Sequence, residues 1–295
     1  LLKIWLDNID RNQILALTFT NKAATEMKER LSIFLPKNEM PIISTFHSYA
    51  IQQIRRKHNK ILIWDQQDAC AMWKIHCDNN KQYMKLFDIY EFAGNFCPQN
   101  EPDIIKTKCQ NFDLEPHYWR LKELYLDFMK ERNAIDFNQM IQKYVEEIND
   151  KQYSHVAIDE YQDTSYIQYK MLQKLSNPNE GQTFVVGDGD QMLYHWRGAN
   201  PDNIKMFQDD YNPVVATLED NYRSGTTICN ACNKIIKNNT KRIDKKTLSV
   251  HQFSGIISIK KNTTEKQEAK ALASSIRRNH KNGHKWSDIV VLGRN

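Results

Sequence analysis

The residues best suited to chemistry stand in three short segments. In "HVAIDEYQDTSYIQ" two adjacent carboxylates, Asp159 and Glu160, end an apolar run. Paired acids at such a place can divide the labour of phosphoryl transfer. One holds a Mg²⁺ ion, directly or through water, and the other orients or deprotonates an attacking water. Two solvated acids at a strand end would read the same way, because such acids are common in α/β folds. In "TFVVGDGDQMLYHWRGAN" a glycine-punctuated turn carries Gln191, placed to read a γ-phosphate or the catalytic water from a neighbouring strand end. Behind it Tyr194 and Trp196 offer flat faces for exposed bases, a sequence-tolerant contact worth about 1–3 kcal/mol per base. A core-facing aromatic pair on a strand is the competing reading; the Arg197 and Gly198 that follow suit an exposed loop better. In "LEDNYRSGTTI" Tyr222 can stack on an adenine ring while the planar guanidinium of Arg223 pairs with the γ-phosphate. A surface Tyr-Arg pair in a turn is the plainer account.

Such side chains need a scaffold that brings strand ends together. Three β-branched apolar runs, Ile14 to Thr18, Val156 to Ile158 and Phe184 to Val186, are each followed by a polar cluster and a helical pattern. Strands of a parallel α/β sheet read this way, with functional loops at their carboxyl ends. Between the first run and the second, Ile51 to Glu147 has helical periodicity and almost no strand signal, so it reads as a helical insertion whose main loop is Asn95 to Pro102. Asp163 or Thr164 is the expected N-cap of the helix after the acid pair. After Pro213 a new alternation starts: strands at Val214 to Leu218, Ile256 to Ile259 and Ile289 to Leu292, helices at Thr226 to Lys237 and Glu265 to Asn279. Of the 9 glycines, Gly187, Gly189, Gly198 and Gly225 crowd one short region, where backbone must turn or approach a ligand.

With 295 residues the chain is long enough for two modest cores. Its mean hydropathy of -0.69 and the lack of any apolar run near the roughly 20 residues of a spanning helix exclude a helical membrane protein. Leu1 to Leu6, broken by Lys3 and stopped by Asp7, lacks the layout of a signal peptide. Six cysteines without regular spacing predict free thiols and a reducing compartment, cytoplasmic or nuclear. Cys229-x-x-Cys232 has no second pair at ligand spacing and reads as part of a helix. A net charge of +5 fits a polyanionic partner and fits many ordinary proteins too.

In their order and wording the three segments resemble helicase motifs II, III and IV of the UvrD/Rep/PcrA branch of superfamily 1. "ILALTFTNKAATEMKERL" resembles motif Ia of that family, "ISTFHSYAIQQIRR" the DNA-contact motif after it, "AIDFNQMI" the acidic-aromatic segment before motif II, and "NNTKRIDKKTL" the stretch after motif IV. The resemblance implies an α/β fold: an incomplete first RecA-like domain from 1–50 and 148–212, a helical insertion over 51–147, and the start of a second RecA-like domain over 213–295. It also implies residue roles. Asp159 would ligate Mg²⁺, Glu160 would act as the catalytic base, Gln191 would sense the γ-phosphate, Tyr222 would stack on the adenine of ATP, and Arg223 would stabilise the transferring phosphoryl group. Phe19, Thr45, His47, Tyr194, Trp196 and Arg197 match positions that line the single-stranded DNA track. A Phe ending an apolar strand is ordinarily core, but Phe19 is flanked by Thr18, Thr20 and Asn21, which suit a base-stacking loop better. His47 can equally be a polar neighbour of a helix cap. Lys241, Arg242, Lys245 and Lys246 are expected to add phosphate contacts.

The family's P-loop, G-x-x-x-x-G-K-[ST], is not found within these residues, and its later motifs would fall after Asn295. With no initial Met, the sequence is expected to be an internal fragment, Leu1 to Leu6 being the tail of the helix after the P-loop, and residues 1–295 alone are expected to be inactive. The function implied for the complete protein is an ATP-dependent single-stranded DNA translocase and helicase of 3′-to-5′ polarity. Its partners would be ATP, Mg²⁺, single-stranded DNA and single-strand/duplex junctions, in repair or replication, with no membrane. A catalytically inactive DNA-binding or scaffold protein on the same fold is the hypothesis of another class. A fused nuclease is a third, less well matched by "GDGDQMLYHWRGA".

Overall fold

The computed structural model describes residues 9–58, 60–77, 82–96, 98–109, 114–149, 152–176, 181–194, 198–239, 242–251 and 253–293. Leu1 to Leu6, Trp196, Arg197 and Lys241 lie outside the described residues. The chain divides into two compact units, one ending at Ala216 and the other beginning at Thr217.

The first unit runs β1 (Ile14–Thr18), α1 (Asn21–Ser32), β2 (Ile42–Thr45), α2 (Phe46–Lys57), β3 (Leu62–Trp64), α3 (Gln66–His76), α4 (Tyr83–Ala93), α5 (Glu101–Cys109) and α6 (Glu115–Glu131). It continues with β4 (Ala134–Asp136), α7 (Phe137–Glu147), β5 (His155–Ile158), α8 (Tyr166–Leu175), β6 (Gln182–Val185) and α9 (Asn203–Tyr211). Four strands form one parallel sheet in the order β2-β1-β5-β6. Thr18 lies opposite Thr45, Leu17 opposite Ile158, and Ile158 opposite Val185, so the carboxyl ends finish nearly level. The loops that follow therefore open along one edge, where ligands of parallel α/β sheets bind.

Every residue of β1 is buried, as expected of a central parallel strand covered on both faces. Leu15 and Leu17 point into a core with Phe46, Tyr49, Ile54, Tyr144 and Leu172. Ala16, one step out of phase, faces Ala24, Leu31, Leu35 and Ile43. The period of two in β1 thus divides the apolar surface between two layers.

The insertion builds its own core around Trp73, whose ring centroid lies 5.1 Å from that of Tyr90, 5.9 Å from those of Tyr118 and Tyr125, and 6.0 Å from that of Phe87. It is not free of strands: β3 and β4 pair in parallel, Leu62 opposite Ala134. Three-residue strands are too short to leave a period in sequence, and their pairing is non-local. Asp136 joins this layer to α7. Tyr90 and Tyr125 donate their hydroxyls to Asp136 Oδ2 at 2.7 and 2.8 Å, and the Gln139 amide donates to Oδ1 at 2.8 Å. Burial holds the Asp136 carboxyl above its ordinary pKa, against the pull of those donors. The loop expected at Asn95 to Pro102 is shorter than that, because α5 starts at Glu101 with Pro102 in its first turn. A missing N–H costs nothing there. The N-cap of α8 is Ser165, not Asp163 or Thr164: its hydroxyl accepts from the Gln168 backbone N–H, and Gln168 Oε1 accepts the Ser165 backbone N–H in a capping box.

The second unit contains β7 (Asp220–Asn221), α10 (Thr226–Ile236), β8 (Leu248–Ser249) and α11 (Glu265–Lys281), with β7 and β8 parallel. The strands expected at Val214 to Leu218, Ile256 to Ile259 and Ile289 to Leu292 form no ladder among the described residues. Alternation sets a propensity for extended chain, whereas a strand also requires a paired neighbour. Among the described residues no helix is long and apolar enough to cross a membrane.

Candidate functional site

At the sheet's carboxyl edge the chain leaves β5 straight into the acid pair. The Asp159 amide donates to Leu17 O at 3.1 Å, which holds the pair beside the end of β1. Asp159 is half-buried. Burial first, and then the like charges of Glu160 and Glu26, hold its carboxyl above the ordinary value, while a backbone hydrogen bond at Glu160 opposes them. Glu160 is exposed and adopts left-handed backbone (φ 52, ψ 44) at the head of a 3₁₀ turn, Tyr161–Asp163. A non-glycine residue there carries strain of order 1 kcal/mol, tolerated where surrounding structure fixes it. Here the fixing comes from β6, since the Tyr161 amide donates to Val186 O at 2.9 Å and the Val186 amide to Ile158 O at 2.9 Å.

Gln162 stands at the middle of this edge and is buried. Its Nε2 donates to Glu160 Oε2 at 2.7 Å and its Oε1 accepts the Asp188 amide at 2.9 Å. The loop after β6 can come so close because residue 187 is glycine: a Cβ there would lie 2.8 Å from Gln162 Oε1 and 3.1 Å from the Gln162 amide nitrogen. Asp188 in turn receives Gln191 Nε2 at 2.8 Å, so Gln191 lies on the same loop as the contact to Gln162, exposed at its rim.

Asp163 extends the turn toward the aromatic segment. The Leu193 and Tyr194 amides lie beside its carboxylate and favour its charged form, and its Oδ1 is buried without a hydrogen-bond partner. Burial and the charge of Glu160 hold this carboxyl too above its ordinary value. The segment beyond is tied to the same turn: the Asn200 amide donates to Thr164 O at 3.1 Å, and Asn203 Nδ2 donates to Thr164 O and Ser165 O at 2.9 and 3.1 Å.

Two of the residues expected on the DNA side meet directly. Phe19, half-buried after β1, and Tyr194 stack with centroids 5.2 Å apart and an interplanar angle of 24°. Thr45 is 7% exposed, and its hydroxyl is occupied at the start of α2, accepting from the Ser48 amide at 3.2 Å and donating to Ser48 Oγ at 2.8 Å. It acts on its surroundings by fixing the helix start that carries His47. The His47 ring stands edge-on to Phe137, centroids 5.6 Å apart. Burial holds its pKa down to about 4, against the weaker pull of a backbone hydrogen bond at Phe137, so the imidazole is neutral at pH 7. Trp196 and Arg197 lie outside the described residues.

Tyr222 and Arg223 belong to the second unit. Asn221 Oδ1 accepts from the Arg223 and Ser224 amides at 3.0 and 2.7 Å, an Asx-type turn that leaves the Tyr222 ring 72% exposed and the Arg223 side chain in solvent. Arg242 is not a free phosphate contact. Its side chain is 11% exposed and donates to Lys245 O at 3.0 Å.

Three participants escaped the sequence reading. Gln162 and Asp163 look there like an ordinary helix start, because nothing local marks a glutamine whose two amide atoms serve the loops after two different strands. Phe137, 47% exposed against His47, did carry a signal: it is the aromatic of the acidic-aromatic segment "AIDFNQMI", at a helix start and followed by Asn138 and Gln139.

Comparison with known proteins supplies the remaining observation. Residues 2–212 match the UvrD/REP helicase N-terminal domain, and residues 216–295 match the UvrD-like helicase C-terminal domain. The chain is 32% identical over 308 residues to the ATP-dependent DNA helicase Rep of Buchnera aphidicola, covering 96% of this chain and 47% of that protein. It is 30% identical over 313 residues to DNA helicase II of Haemophilus influenzae, covering 99% and 43%. It is 33% identical over 304 residues to the ATP-dependent DNA helicase PcrA of Staphylococcus aureus, covering 95% and 41%. The chain thus spans less than half the length of these curated relatives.

Proposed function

The chain belongs to the UvrD/Rep helicase family, and on that premise we propose that the complete protein is an ATP-driven single-stranded DNA translocase and helicase of 3′-to-5′ polarity, acting at single-strand/duplex junctions. Residues 1–50 and 148–212 serve as part of its first ATPase domain, 51–147 as the insertion, and 213–295 as the start of the second. The observation that carries the reading is one edge of one sheet bearing both the Asp159-Glu160 pair and, joined to it by Gln162 and Asp163, the Phe19-Tyr194 stack. Nucleotide chemistry and base stacking are thereby neighbours on a single loop system.

In this reading Glu160 accepts the proton of the water that attacks the γ-phosphorus, and Gln191 senses the γ-phosphate. Tyr222 stacks on adenine and Arg223 offsets charge on the transferring group. The donor set suits Mg²⁺ at Asp159: among the described residues there is no cage of three or more ligating side chains, and Mg²⁺ is ordinarily held by one or two carboxylates together with substrate phosphates. A half-buried Asp159 facing Glu160 and Glu26 is a site short of positive charge. Bound there, the ion would neutralise phosphate charge. Phe19, Tyr194, Trp196, Arg197 and neutral His47 line the DNA track, with Phe137 added beside His47 and Thr45 supporting the helix start.

The test is Glu160→Gln in the full-length protein. ATP and oligo-dT binding should be retained, and the kcat of DNA-stimulated hydrolysis should fall by at least about two orders of magnitude. Wild-type turnover in the mutant removes Glu160 from the mechanism. Single-strand binding without any hydrolysis in the wild type would instead establish an inactive DNA-binding protein on this fold.

A further inference from the structure

We propose that Gln162 and Asp163 are positioning residues that couple the hydrolytic carboxylate to the base-stacking aromatic pair, Gln162 by fixing Glu160 against the loop after β6, and Asp163 by fixing the backbone that carries Tyr194. The proposal rests on the function proposed above and assigns the coupling within it to two side chains of one turn.

The geometry makes each assignment specific. The Gln162 side chain has one donor group and one acceptor, and both are engaged by different elements: Nε2 with Glu160 Oε2 at 2.7 Å, Oε1 with the Asp188 amide at 2.9 Å. The amide orientation is therefore determined, since only the NH₂ end can donate to a carboxylate and only the oxygen can accept from a backbone N–H. A shift of the Gly187–Asp188 loop moves the Glu160 carboxylate with it. Asp163, the next residue, has the Leu193 and Tyr194 amides beside its carboxylate, where their N–H dipoles favour the charged form. Tyr194 carries the ring stacked on Phe19. From Glu160 to Phe19 the path is thus Gln162, the three-residue turn, Asp163, the Tyr194 backbone beside its carboxylate, and the Tyr194 ring. Gln191 hangs from Asp188 on the same loop, so a γ-phosphate sensed by Gln191 acts on a loop that Gln162 already holds. A buried polar side chain spending both ends on one catalytic neighbour and one loop is costly to orient in any other way, because either end left unpaired loses its hydrogen bond in low dielectric.

Coupling is measurable as the ratio of DNA affinities with and without nucleotide. The experiment uses the full-length protein, labelled oligo-dT and a non-hydrolysable ATP analogue, with DNA-stimulated kcat and thermal unfolding measured on the same samples. The wild type should change its oligo-dT Kd by at least about fivefold when the analogue binds. Asp163→Ala should bring that ratio below about twofold, with analogue affinity in the absence of DNA unchanged. Asp163→Asn keeps an acceptor for the two amides and should stay within about threefold of the wild-type ratio. Gln162→Met, of equal length but unable to bond at either end, should lower kcat at least tenfold while the oligo-dT Kd without nucleotide stays within twofold. Should Asp163→Ala not fold, Asp163→Ser replaces it, its hydroxyl being too short to reach both amides, and the same drop is required. A purely structural role would lower the unfolding midpoint and leave both the ratio and kcat per folded molecule unchanged; that result overturns the proposal. Wild-type hydrolysis with Asp163→Ala indistinguishable in its ratio overturns this coupling alone, whereas no DNA-stimulated hydrolysis in the wild type overturns the proposed function along with it.

Discussion

Removing the Tyr194 ring tests how the aromatic pair meets DNA. In the free protein Tyr194 and Phe19 are stacked on each other, 5.2 Å between centroids, a contact worth about 0.5–1.5 kcal/mol beyond the area it buries. A base stacked on an aromatic face contributes about 1–3 kcal/mol. If the base lies on the outer face of Tyr194, the internal pair survives and Tyr194→Ala loses the whole stacking term, about 2 kcal/mol or roughly thirtyfold in Kd at mid-range. If the base enters between the rings, binding must first part them. The mutant then loses one base face and is also relieved of that cost, so the net loss is about 1 kcal/mol, roughly fivefold. Phe19→Ala separates the two cases, weakening binding about as much as Tyr194→Ala when the base lies between the rings and less when it lies on the outer face of Tyr194. Fluorescence anisotropy with labelled oligo-dT and oligo-dA measures Kd, and a thermal melt of each variant keeps binding apart from folding. A Tyr194→Ala protein with an unchanged midpoint and a Kd within twofold of wild type would refute the reasoning, returning Tyr194 and Phe19 to the role of an internal packing pair.

Two further outcomes follow from single contacts. Gly187→Ala places a Cβ 2.8 Å from Gln162 Oε1 and 3.1 Å from a backbone nitrogen, and should cost about 1–3 kcal/mol by chemical denaturation; Gly189→Ala, whose nearest neighbour is Ile204 Cδ1 at 3.6 Å, should lie within about 0.5 kcal/mol of wild type. Equal effects at the two glycines would discount the close approach of the loop to Gln162. His47 is held at about 4 in the fold against 6.5 for a free imidazole. Its stability contribution is therefore complete above pH 6.5 and is lost as pH falls toward 4, where the unfolded chain takes the proton first. The unfolding midpoint of wild type should drop more steeply than that of His47→Gln between pH 6.5 and pH 4.5; parallel curves would contradict the neutral state of this half-buried imidazole.

Much of this protein is legible in its residues. The acid pair ending an apolar run, the glycine-rich turn after Phe184 and the order of the motifs are local features, and local covalent order is what a sequence states outright. The parallel α/β class follows for the same reason, from runs that alternate with helical periods. The short strands β3 and β4, and the absence of ladders among the described residues at Val214 to Leu218 or Ile256 to Ile259, depend on pairing partners far along the chain, which periodicity does not encode. The roles of Gln162 and Asp163 belong to that second kind. Their sequence setting reads as a helix start, and only when β5 and β6 lie side by side, with no Cβ at residue 187, does one glutamine reach both Glu160 and the next loop. The meeting of Phe19 with Tyr194 is likewise a product of strand order: β1 and β6 flank β5, so residues at the two carboxyl ends share an edge. Sequence thus determined which chemistry the chain carries. Tertiary structure decided which of those groups stand within hydrogen-bond or stacking range, because distances under 6 Å between remote residues are set by how the sheet closes and not by any residue alone.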